Sequence, residues 1–235
     1  MTCKSLLAIV GLAALAGSIA IAQPAKESKP AQPTKPAAPA KPVAPSDHAQ
    51  PGIPGMTPQQ MQDMQTCMEA GQPGPHHAEL AKAVGTWHGK NKTWMSPDMK
   101  EPMVSECVQT VTSLMDGRFI KIEVTGDMGG MPFHGLGFTG YDNVSQKFVS
   151  TWMDNCGSGI MHGTGEPSSD GKTITFSYNY NCPIAKKPAV MREVHTHNGP
   201  DAMTLEMFMK DPRSGVEYKA MEIAFTRQAT SKVAN

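Results

Sequence analysis

Thr173-Ile174-Thr175-Phe176-Ser177-Tyr178-Asn179-Tyr180-Asn181 alternates without a break. Ile174, Phe176, Tyr178 and Tyr180 fall on one side, with hydroxyl and amide side chains opposite. A period of two belongs to a β-strand with one buried face, because successive Cβ atoms point to opposite sides of a pleated chain. The same period holds for Met203, Leu205, Met207 and Met209, and again for Met221, Ile223 and Phe225. From Gly85 onward it predicts strands over 86–95, 103–114, 118–126, 132–141, 147–154, 159–166, 173–181, 188–197, 202–210 and 216–227. Asp116-Gly117, Gly129-Gly130, Asp142-Asn143, Asp170-Gly171, Asn198-Gly199 and Ser214-Gly215 supply turn chemistry between them. Every connection is short, and short connections cannot make parallel crossovers. The expected fold is therefore all-β: a closed antiparallel up-and-down barrel of about ten strands, since closure removes the exposed edges.

Upstream the pattern changes. Thr57-Pro58 reads as an N-cap followed by proline at the first helical position, with Met61, Met64 and Met68 at helical spacing. A second short helix is expected from His76 to Val84, stopped by Gly85, with Leu80, Ala83 and Val84 as its apolar stripe. Residues 23–55 form a Pro/Ala/Lys-rich disordered linker. Prolines at 30, 33, 36, 39, 42 and 45 recur every third residue, the repeat of a polyproline II rod. Residues 1–22 read as an export signal: Lys4, an apolar run from Leu6 to Ile21, and Ala20-Ile21-Ala22 before Gln23. The expected organisation is signal 1–22, linker 23–55, short helix 56–75 and barrel 76–230, in the periplasm or outside the cell, with no integral span after cleavage. Lys29, Lys35 and Lys41 give the linker a weak attraction for an anionic envelope surface.

Charge is balanced, with 21 Lys+Arg against 21 Asp+Glu and no basic patch, which argues against a nucleic-acid partner. Cys3 leaves with the signal, and the four cysteines that remain are an even number in an exported chain. Cys156 and Cys182 follow strands of the same direction, so a Cys156–Cys182 disulfide is expected, leaving Cys67 and Cys107 as the second pair. No C-x-x-C pair is present.

The run His77-Ala78-Glu79-Leu80-Ala81-Lys82-Ala83-Val84-Gly85-Thr86-Trp87, the hairpin Gly140-Tyr141-Asp142 with Lys147-Phe148-Val149-Ser150-Thr151-Trp152, and the final Met221-Glu222-Ile223-Ala224-Phe225-Thr226-Arg227 resemble a bacterial lipocalin-like family, domain of unknown function 1579. The likeness spans about 76–228 and implies a calycin-type barrel without established catalytic residues. Gly85-Thr86-Trp87 and Arg227 also resemble the Gly-x-Trp and late Arg of calycins at large. If the last strand pairs with the first, Arg227 can stack on Trp87 as a closure device.

Candidate cavity residues are Trp152, Tyr178, Arg192, Glu193, His195 and Met207. The eighth strand is ambiguous in parity: Met191, Glu193, His195 and His197 share one face, and Val190, Arg192, Val194 and Thr196 the other. Either face turned inward brings an ionisable anchor into the barrel, and the plainer reading is an outward polar face near the rim. His195-Thr196-His197 has a spacing that can chelate a metal, but no metal site is predicted. Trp152 is expected to pack in the wall. The 18 methionines suit a compliant core or pocket, while Met61, Met64, Met68, Met128 and Met131 lack a histidine cluster that would suggest copper. The leading reading is an exported binding module for a small lipophilic or amphipathic molecule. No cofactor is predicted. The alternatives are a haem-binding barrel of the nitrobindin kind, using an inward His195 or His162, and a structural, envelope-associated module. An enzyme using Glu193 and a histidine ranks last, since no nucleophile motif such as Gly-x-Ser-x-Gly appears.

Overall fold

The computed structural model describes residues 55–229. The expected signal (1–22) and nearly all of the expected linker lie outside the described residues, as does Cys3. Among the described residues no helix is long and apolar enough to cross a membrane. The chain divides into two compact units, with a boundary between Thr66 and Cys67.

Helix α1 (Pro58–Ala70) crosses that boundary. Thr57 and Gln60 cap it reciprocally: Gln60 N–H donates to Thr57 Oγ1 at 3.2 Å and Thr57 N–H to Gln60 Oε1 at 2.9 Å. None of its residues is buried, so the Met61/Met64/Met68 stripe forms no core.

Helix α2 (Pro75–Ala81) starts with proline at its first position, and Gly74 N–H donates to His77 Nδ1 at 2.9 Å. It ends earlier than the sequence suggests. Lys82, Ala83 and Val84 continue as a tighter turn, each N–H bonding to the carbonyl three residues back. The tightening frees the carbonyls of Lys82 and Val84, which Arg227 then takes.

Ten strands follow: β1 (Gly85–Thr93), β2 (Met103–Leu114), β3 (Phe119–Asp127), β4 (Pro132–Asp142), β5 (Lys147–Asp154), β6 (Met161–Pro167), β7 (Thr173–Cys182), β8 (Lys187–Gly199), β9 (Ala202–Lys210) and β10 (Glu217–Arg227). Each pairs antiparallel with its chain neighbours, and β10 closes on β1 with Trp87 opposite Arg227. The result is a closed up-and-down barrel. Every backbone ladder is completed within the ring, which leaves no edge for a foreign strand.

A ten-stranded ring encloses more width than a single layer of aliphatic side chains fills. Aromatic rings supply the volume: Trp87 and Phe148 are each 1% exposed, and Phe176, Tyr178 and Phe225 are also buried. Glycines opposite them make room. A Cβ at Gly163 would lie 2.7 Å from the Tyr178 ring, one at Gly165 2.7 Å from Phe176, and one at Gly135 2.2 Å from Trp152. The rings thus lie flat on bare stretches of wall, the close approach that glycine within a strand permits. Leu80 of α2 packs into the same cluster and covers the end where β1 begins.

Among the described residues Cys67, Cys107, Cys156 and Cys182 are all free, so neither expected disulfide is formed in this structure. Cys156, in the turn after β5, and Cys182, at the end of β7, do sit at the same barrel end, but β6 lies between those two strands. Two inter-strand spacings come to about 9.5 Å, beyond the Cα separation a disulfide spans. Cys107 packs its sulfur inside the barrel beside Gly89, Phe225 and Ile223, whereas Cys67 is exposed on α1.

Candidate functional site

The register of β8 decides what the barrel can hold. His195 pairs with Ile174, Glu193 with Phe176 and Met191 with Tyr178, all on the inward face. The expectation of an outward polar face is therefore corrected. Glu193 is buried, and His195 and His197 point inward above it. Arg192 belongs to the other face and is not a cavity residue: its guanidinium lies 3.9 Å over the Phe208 ring and 3.4 Å from Glu217 Oε2 on the outer surface. The buried Ile174 and Phe176 opposite force this choice, because a one-residue slip would turn the apolar face of β7 to water.

Four more polar groups share the interior. Tyr178 O–H donates to Ser150 Oγ at 2.7 Å, and the Ser150 and Thr139 hydroxyls are 2.8 Å apart. Burial pushes the Tyr178 hydroxyl pKa upward, and nearby Glu193 pushes it further, so Tyr178 remains a neutral donor. Gln109 is buried too. Glu193 Oε2 lies 3.6 Å from His195 Nε2, an ion-pair distance too long for a hydrogen bond. His195 Nε2 is buried and has no hydrogen-bond partner. His195 also meets Phe176, with ring centroids 5.2 Å apart.

Beside this group lies a cavity of about 60 Å³, partly open to solvent. Its walls carry Gln109, Thr139, His195 and His197 among apolar side chains that include Leu205 and Phe225, with Leu80 of α2. Glu79 and Ala83 of α2 and Thr196 and Thr204 of the β8–β9 hairpin also line it. Burial lowers the His197 pKa, with His195 adding to the effect and Glu79 opposing it, so the imidazole favours its neutral form.

The remaining sequence candidates lie elsewhere. Trp152 faces inward, seated on Gly135 and Gly137, with Nε1–H donating to Asp154 Oδ2 at 2.9 Å. Met207 is inward, between Glu193 of β8 and Met221 of β10. His134 and His162 are exposed. Among the described residues no three His, Cys, Asp or Glu side chains gather as a metal site would require. Arg227 lies 4.0 Å over the Trp87 ring and donates to Val84 O (2.6 Å), Lys82 O (2.7 Å) and Pro200 O (3.0 Å). Trp87 Nε1–H donates to Ala83 O at 2.8 Å. This latch ties the end of α2 to both closing strands. Gln109, Thr139 and Ser150 escape a reading by residue chemistry. Their one signal is a lone polar residue on an apolar strand face, as with Ser150 between Phe148 and Trp152.

Fold and pocket together define a class: a closed, ten-stranded, lipocalin-like barrel with a helix over one end and a partly polar interior. Residues 72–227 match the family described as Protein of unknown function (DUF1579), and the chain belongs to that family. Among solved structures, Rv2717c from M. tuberculosis is similar at 15% identity with a TM-score of 0.51, over 67% of this chain and 100% of that one. The S-type phycobiliprotein lyase CPES from Guillardia theta is similar at 11% identity with a TM-score of 0.47, over 70% and 98% of the two chains. EF1p2_mFAP2b bound to DFHBI is similar at 12% identity with a TM-score of 0.35, over 65% and 97%. At these identities the likeness concerns the fold alone. No curated protein matches the chain.

Proposed function

We propose that this protein is an exported binding module that holds part of a small apolar or amphipathic molecule in the pocket beneath α2. The observation carrying this reading is the cavity itself, lined mostly by apolar side chains and by His195, whose buried Nε2 has no hydrogen-bond partner. Buried polar atoms are almost always satisfied, so an orphan beside open space points to water or a ligand. The space of about 60 Å³ holds a few waters or the end of a small molecule. The rest of a longer ligand passes out between α2 and the β8–β9 hairpin. Export rests on the sequence of residues 1–22.

Native mass spectrometry of protein purified from its own source tests both parts. The expected result is a chain beginning at Gln23 with a co-purifying small molecule that is lost on unfolding. An exported chain starting at Met1 overturns cleavage. A bare protein that also ignores added small amphiphiles overturns the pocket.

The haem reading has less geometric support. His162 is exposed, and the space beside His195 is far smaller than a porphyrin unless α2 is displaced. Haem titration followed by absorbance checks it, with no Soret shift expected.

A further inference from the structure

We propose that the pocket selects head groups that donate hydrogen bonds, ammonium above hydroxyl, and rejects carboxylates; this rests on the pocket reading above. The argument comes from what faces inward. Parity around the ring places Glu193, His195 and His197 in the interior near the cavity. Glu79 of α2 also lines the cavity, and the one other inward acid of the strands among the described residues is Asp154 at the opposite end, whose oxygens already accept from Trp152 Nε1–H and Cys156 N–H.

No unpaired lysine or arginine among the described residues offers a cation to this interior: Lys82 is paired with Glu79 at 2.7 Å, and Lys187, inward in register opposite Cys182, is exposed at the other barrel end. Lys90 and Lys92 of β1, Lys121 of β3 and Lys219 of β10 lie on outward positions. Arg192 is outside over Phe208, and Arg227 is spent on the Lys82, Val84 and Pro200 carbonyls and the Trp87 face. A carboxylate entering the pocket would meet Glu79 on its wall and Glu193 behind His195, with no unpaired lysine or arginine to receive it. Buried like charges without a counter-ion are strongly disfavoured.

The acceptors, by contrast, have no donor. Glu193 is 8% exposed, and no side-chain or backbone donor hydrogen-bonds its carboxyl among the described residues. The neighbouring Tyr178 O–H is committed to Ser150. His195 Nε2 is buried without a partner 3.6 Å from Glu193 Oε2. With its proton on Nδ1, the imidazole presents Nε2 as an acceptor. One ammonium can donate to Nε2 and to the carboxyl group together, and a hydroxyl to one of them. That difference sets the expected ranking of ammonium, then hydroxyl, then carboxylate.

The test compares three probes with a common tail, n-hexylamine, n-hexanol and hexanoate, by isothermal titration of the full chain near neutral pH. Hexylamine is expected to bind more tightly than hexanoate by about tenfold or more, the scale of a hydrogen bond to a charged group. Glu193→Gln should bring hexylamine down to the level of hexanol. Hexanoate binding as well as hexylamine overturns the proposal, and so does a Glu193→Gln protein that keeps the amine preference. The ranking in the unmodified chain decides the matter even if the variant does not fold. Hexanol binding without preference for the amine overturns the head-group selection and leaves the pocket standing. Failure of all three probes overturns both.

Discussion

Gly85 shows how much one residue can be asked to do. Its φ of +134° lies in a region that side chains resist, and a Cβ there would meet Arg227 Nη1 at 2.7 Å. The same arginine stacks on Trp87 and holds the carbonyls of Lys82 and Val84. Gly85→Ala should therefore strain the backbone and displace the latch together, lowering stability by about 2–3 kcal/mol in thermal or denaturant unfolding. A change below the error of measurement would contradict this account of the Gly-x-Trp motif. The cysteines give a second prediction at this scale. Burial pushes the Cys107 thiol up to about 11 and Cys156 upward as well, with Asp154 contributing to the latter. Thiolate is the reactive form. Mild alkylation of the folded protein should thus label exposed Cys67 first and spare Cys107 until denaturant is added. Peptide mapping reads the order.

Among the elements, α2 is the one whose seat depends on protonation. His77 is buried and uses Nδ1 to accept from Gly74 N–H, which requires an unprotonated nitrogen. Burial lowers its pKa, opposed by a bond to the Tyr141 backbone and aided by Arg118 and His76. His197, near Glu79, Lys82, His195 and Arg227, is likewise lowered, first by burial. Both start from the usual histidine value of 6.5. Below that value the unfolded chain takes up protons that the folded chain resists, so stability is full above it and declines as pH falls through the window beneath. The thermal midpoint should drop between about pH 7 and about pH 5, and His77→Asn combined with His197→Gln should flatten that slope. An unchanged slope in the double variant would remove the histidines as its cause. The extents of the strands were largely legible in the sequence, because period and turn residues are local signals, whereas α2 gives way to a tighter turn before the Gly85 that the sequence offers as its stop. The parity of β8 was not. Both of its faces carry charged or imidazole groups, so only the neighbours in β7 and β9 could choose between them.

At the scale of the whole molecule, closure is what holds the cavity together. Without β10, both β1 and β9 would present unpaired ladders, and Trp87 would lose Arg227 and Phe225 as neighbours. A chain ending at Asp211 should fail to give a soluble, cooperatively unfolding protein, whereas a chain lacking residues 1–54 should retain the barrel. Circular dichroism and thermal melts compare the two, and a stable barrel from the shorter C-terminus would undo the closure argument. The sequence by itself determined the all-β class, the order of the strands and the likeness carried by Gly85, Trp87 and Arg227, since alternation, turns and short connections are written along the chain. Tertiary structure alone decided that Glu193 and His195 face inward, that Arg192 does not, that the polar chain from Tyr178 runs to Thr139, and that the four thiols stay apart. Those facts depend on which residues of distant strands stand opposite one another, and on widths counted across strands, quantities that exist only once the ring has closed.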